Sequence, residues 1–480
     1  MASRTAPALA ALAAHPRWLL LAAGALLGAA FAPLFWWPLL VPAFGVLRWR
    51  LLAAPRWQTA ALDGWVFGLG MFGASLWWLG ASFRYAPSVY AWWLALPTVG
   101  GLCVYLALYP ALATVLAWVL LRRVPARWHS VALPAVLGLT WVLAEVLRGT
   151  MIYGFPWNLI GYVFAGSALA LQPAALGSVW LLSLLAVVGG TAAAHWPTAR
   201  LYLPLVLLPW VWGGWRLHHA APAEAVATVR LVQGNIPQTR KWAPDQLVPT
   251  INRQLELSTT PASGYPDLIV WSETALPIMP QQWPGLTDRL RAVLAERPGT
   301  AHSILVYGEP TKENGRYYNS MVALDPAGHS TSYAKHLLVP FGEFMPLKKY
   351  LPTSLEKMTH GENDFSPGTT APALKLGHLT ALPLICYEAI FPAYVRHHAR
   401  GKDFMLNITN DGWFAGTPGP QQHFAMARTR TVETGLSLVR AANTGVTAVV
   451  DGYGRIVHRL KLRHTDRLDS FIPKHVSLSP

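Results

Sequence analysis

Acidic residues are nearly missing from the first 220 positions of this 480-residue chain. Only Asp63 and Glu145 occur there, and lysine does not occur at all. Charge is scarce overall, 13% of residues, where an ordinary soluble domain carries about twice that share. A wholly soluble chain is excluded. Cysteine is scarcer still. Cys103 lies inside an apolar run and Cys386 stands alone, so neither a disulfide framework nor a cysteine-based metal cluster is available. No spacing of histidine with cysteine or acid recommends a metal site either. No small-residue cleavage site follows the first apolar segment, which therefore reads as retained.

What the first 220 residues do have is arginine, twelve in all, giving that part a net charge of +10 against +5 for the rest. These arginines punctuate apolar runs instead of crowding one face, which points to membrane topology and lipid headgroups and away from nucleic acid. Apolar runs lie near 18–33, 34–47, 62–82, 89–121, 130–148, 168–194 and 201–215, seven candidate spans. The first two are short and proline-rich, so they read as one re-entrant hairpin or two tilted spans. The fourth is long enough to kink at Pro97 or Pro110. With seven spans, nine arginines fall on one side, and only Arg84, Arg148 and Arg216 on the other. The richer side is expected to be cytoplasmic, which puts everything after residue 220 outside, in the periplasm if the cell has two membranes. Gly68, Gly70 and Gly73 match a dinucleotide pattern, but no strand precedes them, and close helix packing is the expected role. Glu145 should face the bundle interior near Arg148, as a structural ion pair or toward a substrate.

From residue 226 short β-branched runs end on polar residues, as in "ATVRLVQGN", "DLIVWSE", "SILVYGE", "YNSMVALD", "ALPLICYE", "FMLNITND" and "TAVVDGYG". Amphipathic stretches at 284–296 and 422–436 separate several of them. The alternation predicts an α/β domain over 221–465, after a polytopic membrane domain over 1–220 and before a polar tail at 466–480. In such domains chemistry collects where strands end. Glu273, Glu309, Cys386, Asn410 and Asp411 occupy those ends. A thiolate is a good acyl acceptor; it needs a base, for which Glu273 is a candidate, and nearby positive charge, which Lys335 can supply. Taken singly, Cys386 also fits a small buried hydrophobe, and Glu273 and Lys335 fit surface residues.

The set is more specific than its members. "WSETALP", "KHLLVPFGEFMP", "ICYEAIFP" and "TNDGWF", in that order, resemble the nitrilase superfamily, whose triad is Glu, Lys and Cys. Joined to a polytopic region carrying "EVLRGTMIYGFPWNLIGY", the chain resembles the apolipoprotein N-acyltransferase family. The resemblance implies an α-β-β-α sandwich with Glu273 as general base, Lys335 as the cation at the oxyanion and Cys386 as nucleophile. It matches Glu343 and Glu388 to acids lining the site, and the Tyr387 backbone N–H to the oxyanion hole. Trp242, Asn319 and Trp413 match motif positions and are candidates for substrate contact, as are Glu145 and Arg148. A further span is expected after the catalytic domain, yet residues 466–480 are polar, basic and too short to cross.

The same resemblance implies acyl transfer in two steps. A phospholipid, typically phosphatidylethanolamine, acylates Cys386. The α-amino group of an apolipoprotein's diacylglyceryl-cysteine then takes the chain, with no cofactor or metal, at the bacterial inner membrane. Two other functions remain open from the sequence: a membrane-tethered nitrilase-type amidase with water as acceptor, and a lipid-binding or transport protein with an inert soluble domain.

Overall fold

The computed structural model describes residues 16–85, 91–260, 265–279, 282–295, 303–350 and 364–477. The chain divides into two compact units, residues 1–80 with 93–220, and residues 81–92 with 221–480.

The first unit is helical. Four helical stretches are long and apolar enough to cross a membrane: Trp57–Tyr85, Trp92–Leu121, Ala126–Thr150 and Ala174–Ala193. They coincide with four of the seven candidate spans. The other three are also helical: Pro16–Leu26 of 11 residues and Leu40–Ala53 of 14, and Trp196–His218 of 23, which carries Pro204 and Pro209 inside it. The expected kink falls at Ala107, between helices Ala95–Leu106 and Leu108–Leu121. Pro110 explains it, because its ring collides with the carbonyl four residues earlier. Glycines set the helix spacing: a Cβ on Gly70 would stand 2.1 Å from the Leu21 carbonyl oxygen, and one on Gly68 2.8 Å from the Pro110 ring. Gly68 and Gly70 of the GxGxxG pattern pack closely, while Gly73 has nothing within 4 Å of where a Cβ would stand.

The second unit stacks two six-stranded sheets. One runs β12 (Asp466–Pro473), β1 (Ala225–Gln233), β2 (Leu268–Val270), β3 (Ile304–Glu313), β4 (Arg316–Leu324), β5 (Ser330–Ala334). The other runs β11 (Ile456–Arg459), β10 (Ala448–Val450), β9 (Ser437–Ala442), β8 (Phe404–Thr409), β7 (Leu379–Ile385), β6 (Leu374–Leu376). Strands β1, β2 and β3 are parallel, as are β7, β8 and β9; the outer pairs are antiparallel. Leu231, Val270, Val306 and Met321 from one sheet meet Ala381, Ile385, Leu406 and Val439 from the other in a shared core. Helices Leu247–Thr259 and Leu286–Ala295 cover one outer face, and Pro392–His398 and Gly419–Thr434 the other. This is the α-β-β-α sandwich. Gly435, at φ 75°, ends the helix Gly419–Thr434 and turns the chain into β9.

One boundary moves. The segment set apart as a polar tail is a strand through Pro473, paired along its length with β1 and held by a double hydrogen bond from Arg230 to Asp469, at 2.6 and 3.0 Å. An edge strand shows one face to water, so its polar sequence hid it.

Candidate functional site

Strand β7 is buried along nearly its whole length and stops at Ile385. The next residue, Cys386, has φ 49°, a left-handed conformation that costs a non-glycine residue about 1–3 kcal/mol. It opens the single turn Cys386–Ile390 and leaves the thiol half-buried at the sheet's end. Glu388, fully buried, closes this turn by accepting the Ile385 N–H at 2.7 Å. Its other oxygen accepts from the Tyr333 hydroxyl at 2.7 Å and from the backbone N–H of His336 at 2.8 Å and Leu337 at 3.3 Å. One carboxylate thus ties the cysteine turn to the segment leaving β5. Burial pushes the Glu388 pKa up to about 7 against the pull of these donors.

That segment carries Lys335. Its ammonium lies 3.0 and 2.9 Å from the two oxygens of Glu343 and 3.6 Å from Glu273. Burial works against the charge, but Glu343 and Glu273 overcome it and hold the Lys335 pKa above the ordinary lysine value. Glu273 follows β2 and is itself fixed at both oxygens. Asn319 donates to one at 2.8 Å, and the Asn410 backbone N–H donates to the other at 2.8 Å. The Asn319 amide also donates to Glu343 at 2.8 Å. Asn319, matched above to substrate contact, is therefore a bridge between the two acids, with its amide hydrogens already committed.

Burial raises the Cys386 pKa well above its usual value and Glu273 raises it further, while Lys335 pulls it down. A resting thiol beside a carboxylate needs base assistance at the moment of attack, which is the arrangement expected of a Glu-Lys-Cys set.

Two groups escaped the sequence. His423 directs Nε2 at the Cys386 carbonyl oxygen, 3.1 Å away, and Nδ1 at Asp411, 2.8 Å away. A carbonyl only accepts, so Nε2 carries a proton and is not free to take one from sulfur. The Cys386 sulfur, an Asp411 oxygen and a His423 nitrogen all lie within 4.8 Å of one another. Arg440 donates to Asp411 at 3.0 Å. Burial works against that carboxylate, but Arg440 and His423 overcome it and keep its pKa below normal. The second group is Lys241, buried at 3% exposure, whose ammonium donates to the Glu273 backbone carbonyl at 2.9 Å. Neither carries a local signal. His423 sits mid-helix, and Lys241 in a turn 32 residues before its partner.

The remaining candidates fall as follows. Tyr387 is buried, its ring edge-on to Phe391 at 4.9 Å. Trp242 and Trp413 are half-buried in turns, Trp413 in Asp411–Phe414. Glu309 is buried on β3, its pKa raised by burial to about 8, outside this bond network. Glu145 and Arg148 belong to the helical unit and serve its backbone. Glu145 accepts from Ile160 N–H at 2.7 Å, and Arg148 donates to the carbonyls of Phe155 and Trp157 at 3.0 and 2.7 Å. Their mutual distance is 4.0 Å.

A family model described as the apolipoprotein N-acyltransferase N-terminal domain matches residues 23–192, and one described as carbon-nitrogen hydrolase matches 228–466. The chain is 34% identical to the apolipoprotein N-acyltransferase of Rickettsia typhi over 95% of its length and 91% of that protein's. It is 37% identical to that of Brucella melitensis, over 90% and 85%, and 35% identical to that of Rhodopseudomonas palustris, over 95% and 89%. Among solved structures, it is similar to a CN-hydrolase superfamily protein from Xanthomonas campestris at 16% identity and a TM-score of 0.38, over 51% of this chain and 90% of that one.

Proposed function

The chain belongs to the apolipoprotein N-acyltransferase family and is an acyltransferase of the membrane, and from that premise we propose that the acyl group travels through a thioester on Cys386. The observation that carries this is the Glu273–Lys335–Cys386 set, a fixed carboxylate and a fixed ammonium that both act on the thiol.

Glu273 takes the thiol proton as sulfur attacks the ester carbonyl of a phospholipid. The charge that leaves Glu273 arrives first on sulfur and then on the carbonyl oxygen, where Lys335 and the Tyr387 backbone N–H receive it. Collapse expels the lysophospholipid oxygen, which takes back the proton from Glu273. In the second step the neutral α-amino group of a diacylglyceryl-cysteine attacks the thioester and gives its proton to Glu273, and the thiolate leaves. The donor is already an ester, so the chemistry calls for neither metal nor redox cofactor. Phosphatidylethanolamine is the proposed donor, and Trp242 and Trp413 are proposed to line its approach. Counted on seven spans, nine arginines against three support a catalytic unit on the periplasmic side of the inner membrane.

Incubating the purified protein with phosphatidylethanolamine vesicles alone, then measuring intact mass, tests the first step. An acyl adduct mapped to Cys386 is expected; an unmodified Cys386 alongside released fatty acid would favour direct hydrolysis. Orientation is tested separately with Thr331→Cys, an exposed site on edge strand β5. An impermeant thiol reagent should label it in intact cells with a permeabilised outer membrane, and labelling only after lysis would reverse the orientation.

A further inference from the structure

Two lysines, not one, are buried around the reacting groups. Lys335 is the one the motif marks. Lys241 lies in the turn 238–242 that follows β1, and this turn grips Glu273 twice. Lys241 donates directly to the Glu273 backbone carbonyl at 2.9 Å. Gln238 accepts from the Asn410 side chain at 2.8 Å, and the Asn410 backbone N–H is what holds the Glu273 carboxylate. The carbonyl that Lys241 holds leads into Thr274, which sits at φ 45°. A left-handed residue directly after a catalytic acid is a point where the backbone relaxes unless something holds it.

Charge points the same way. Glu273 and Glu343 bring two negative charges to the chamber and Lys335 brings one positive, so without another cation the set is net negative before any thiolate forms. We propose that Lys241 is the second cation of the catalytic chamber, fixing the backbone of the base Glu273 and easing formation of the Cys386 thiolate. The role rests on the acyl-transfer chemistry above but makes a claim about the thiol itself. Lys241 neither gives nor takes a proton in the reaction. The thiol proton still moves to Glu273, and the negative charge moves from that carboxylate to sulfur within the field of two ammonium groups. The titratable groups acting on Lys241 are Glu273, from the end of β2, and Cys386, from the end of β7. Burial lowers the Lys241 pKa to about 8 while those two oppose the fall, so the charge is present at neutral pH and is lost as pH rises through about 8.

The test uses the full chain in detergent with Cys103→Ala, which leaves Cys386 as its single thiol. Lys241→Met removes both charge and hydrogen bond; Lys241→Gln removes the charge but keeps a donor for the carbonyl. Iodoacetamide alkylation of Cys386, followed across pH, reads the thiol without any lipid. Both variants should slow alkylation at pH 7 by about tenfold, the effect of losing one nearby opposite charge, and the deficit should close as pH rises through about 8, where the parent protein's Lys241 loses its own charge. Acylation by phosphatidylethanolamine vesicles should lose kcat with KM unchanged, more in Lys241→Met than in Lys241→Gln. If Lys241→Met fails to fold, Lys241→Gln carries the test. Alkylation profiles that superimpose on the parent protein's would overturn the proposal. A parent protein that alkylates as described but never acylates would leave the second cation standing and remove the thioester chemistry instead.

Discussion

The two units bury charge for opposite ends. In the helical unit, Arg148 and Glu145 are both almost fully buried, and their short bonds run to loop backbone and to the Trp141 ring N–H. In the catalytic unit, Glu273, Glu343 and Lys335 are also buried, but Lys335 pairs with both acids, and Glu273 and Lys335 act on a thiol. Burial of a charge therefore does not mark a reactive site. The partners do: charges that satisfy backbone brace a loop, while charges that satisfy each other and leave a nucleophile beside them make chemistry.

The sharpest way to break that contrast is at sulfur. Cys386→Ala should abolish acylation outright, while Cys103→Ala, at a buried position in an apolar helix, should leave it intact, both read by intact mass and by transfer to a lipopeptide. Next come the groups fixed beside it. Glu273→Gln should slow single-turnover acylation by about 10²–10⁴-fold and Lys335→Met by about 10²–10³-fold, each without a comparable loss of lipid affinity. Wild-type rates in either variant would return that residue to a structural role.

His423→Leu removes the donor to the Cys386 carbonyl and should cost up to about 10²-fold in kcat through misplacement of sulfur. Unchanged KM and an unshifted pH profile would accompany a positioning role. Glu388 gives a smaller, pH-dependent effect. Ionised, it accepts four hydrogen bonds that join the cysteine turn to the Lys335 segment; protonated, it must give one up. Its raised pKa puts that change near pH 7, so acylation should fall as pH drops through about 7. Glu388→Gln should lower the rate and flatten this limb. The least effect on chemistry is expected from Arg148→Met. Losing its charged hydrogen bonds should destabilise the helical unit by about 1.5–3 kcal/mol each, seen as a lower melting temperature, with the Cys386 alkylation rate unchanged. A loss of acylation matching that of Lys335→Met would erase the distinction between the units.

Much of this was legible in the sequence, for definable reasons. Central strands such as β2 and β7 are apolar runs that end abruptly, so their ends, and with them Glu273 and Cys386, could be placed without coordinates. Strand β9 was hidden because Arg440 interrupts its apolar run, and that arginine is affordable only because Asp411, 29 residues earlier, lies against it. Lys241 and His423 were hidden for the same reason, since each acts on a backbone carbonyl far along the chain. Asn319 was seen, but its bridge between Glu273 and Glu343 was not. A motif position shows that a residue matters and leaves open whether it meets substrate or aligns two acids.

The pairing of β1 with β12 has a mechanical consequence. The register sets Ala225 opposite Pro473 and Gln233 opposite Asp466, so the first and last strands of the sandwich meet as a seam, with the start of one and the end of the other at the same edge. Tension applied between Ala225 and Pro473 would load that seam one hydrogen bond at a time, as a zipper, instead of shearing all its bonds together. The opening would run until it reached Arg230 and Asp469, whose doubled bond lies midway along the seam and is the stitch where tearing should pause.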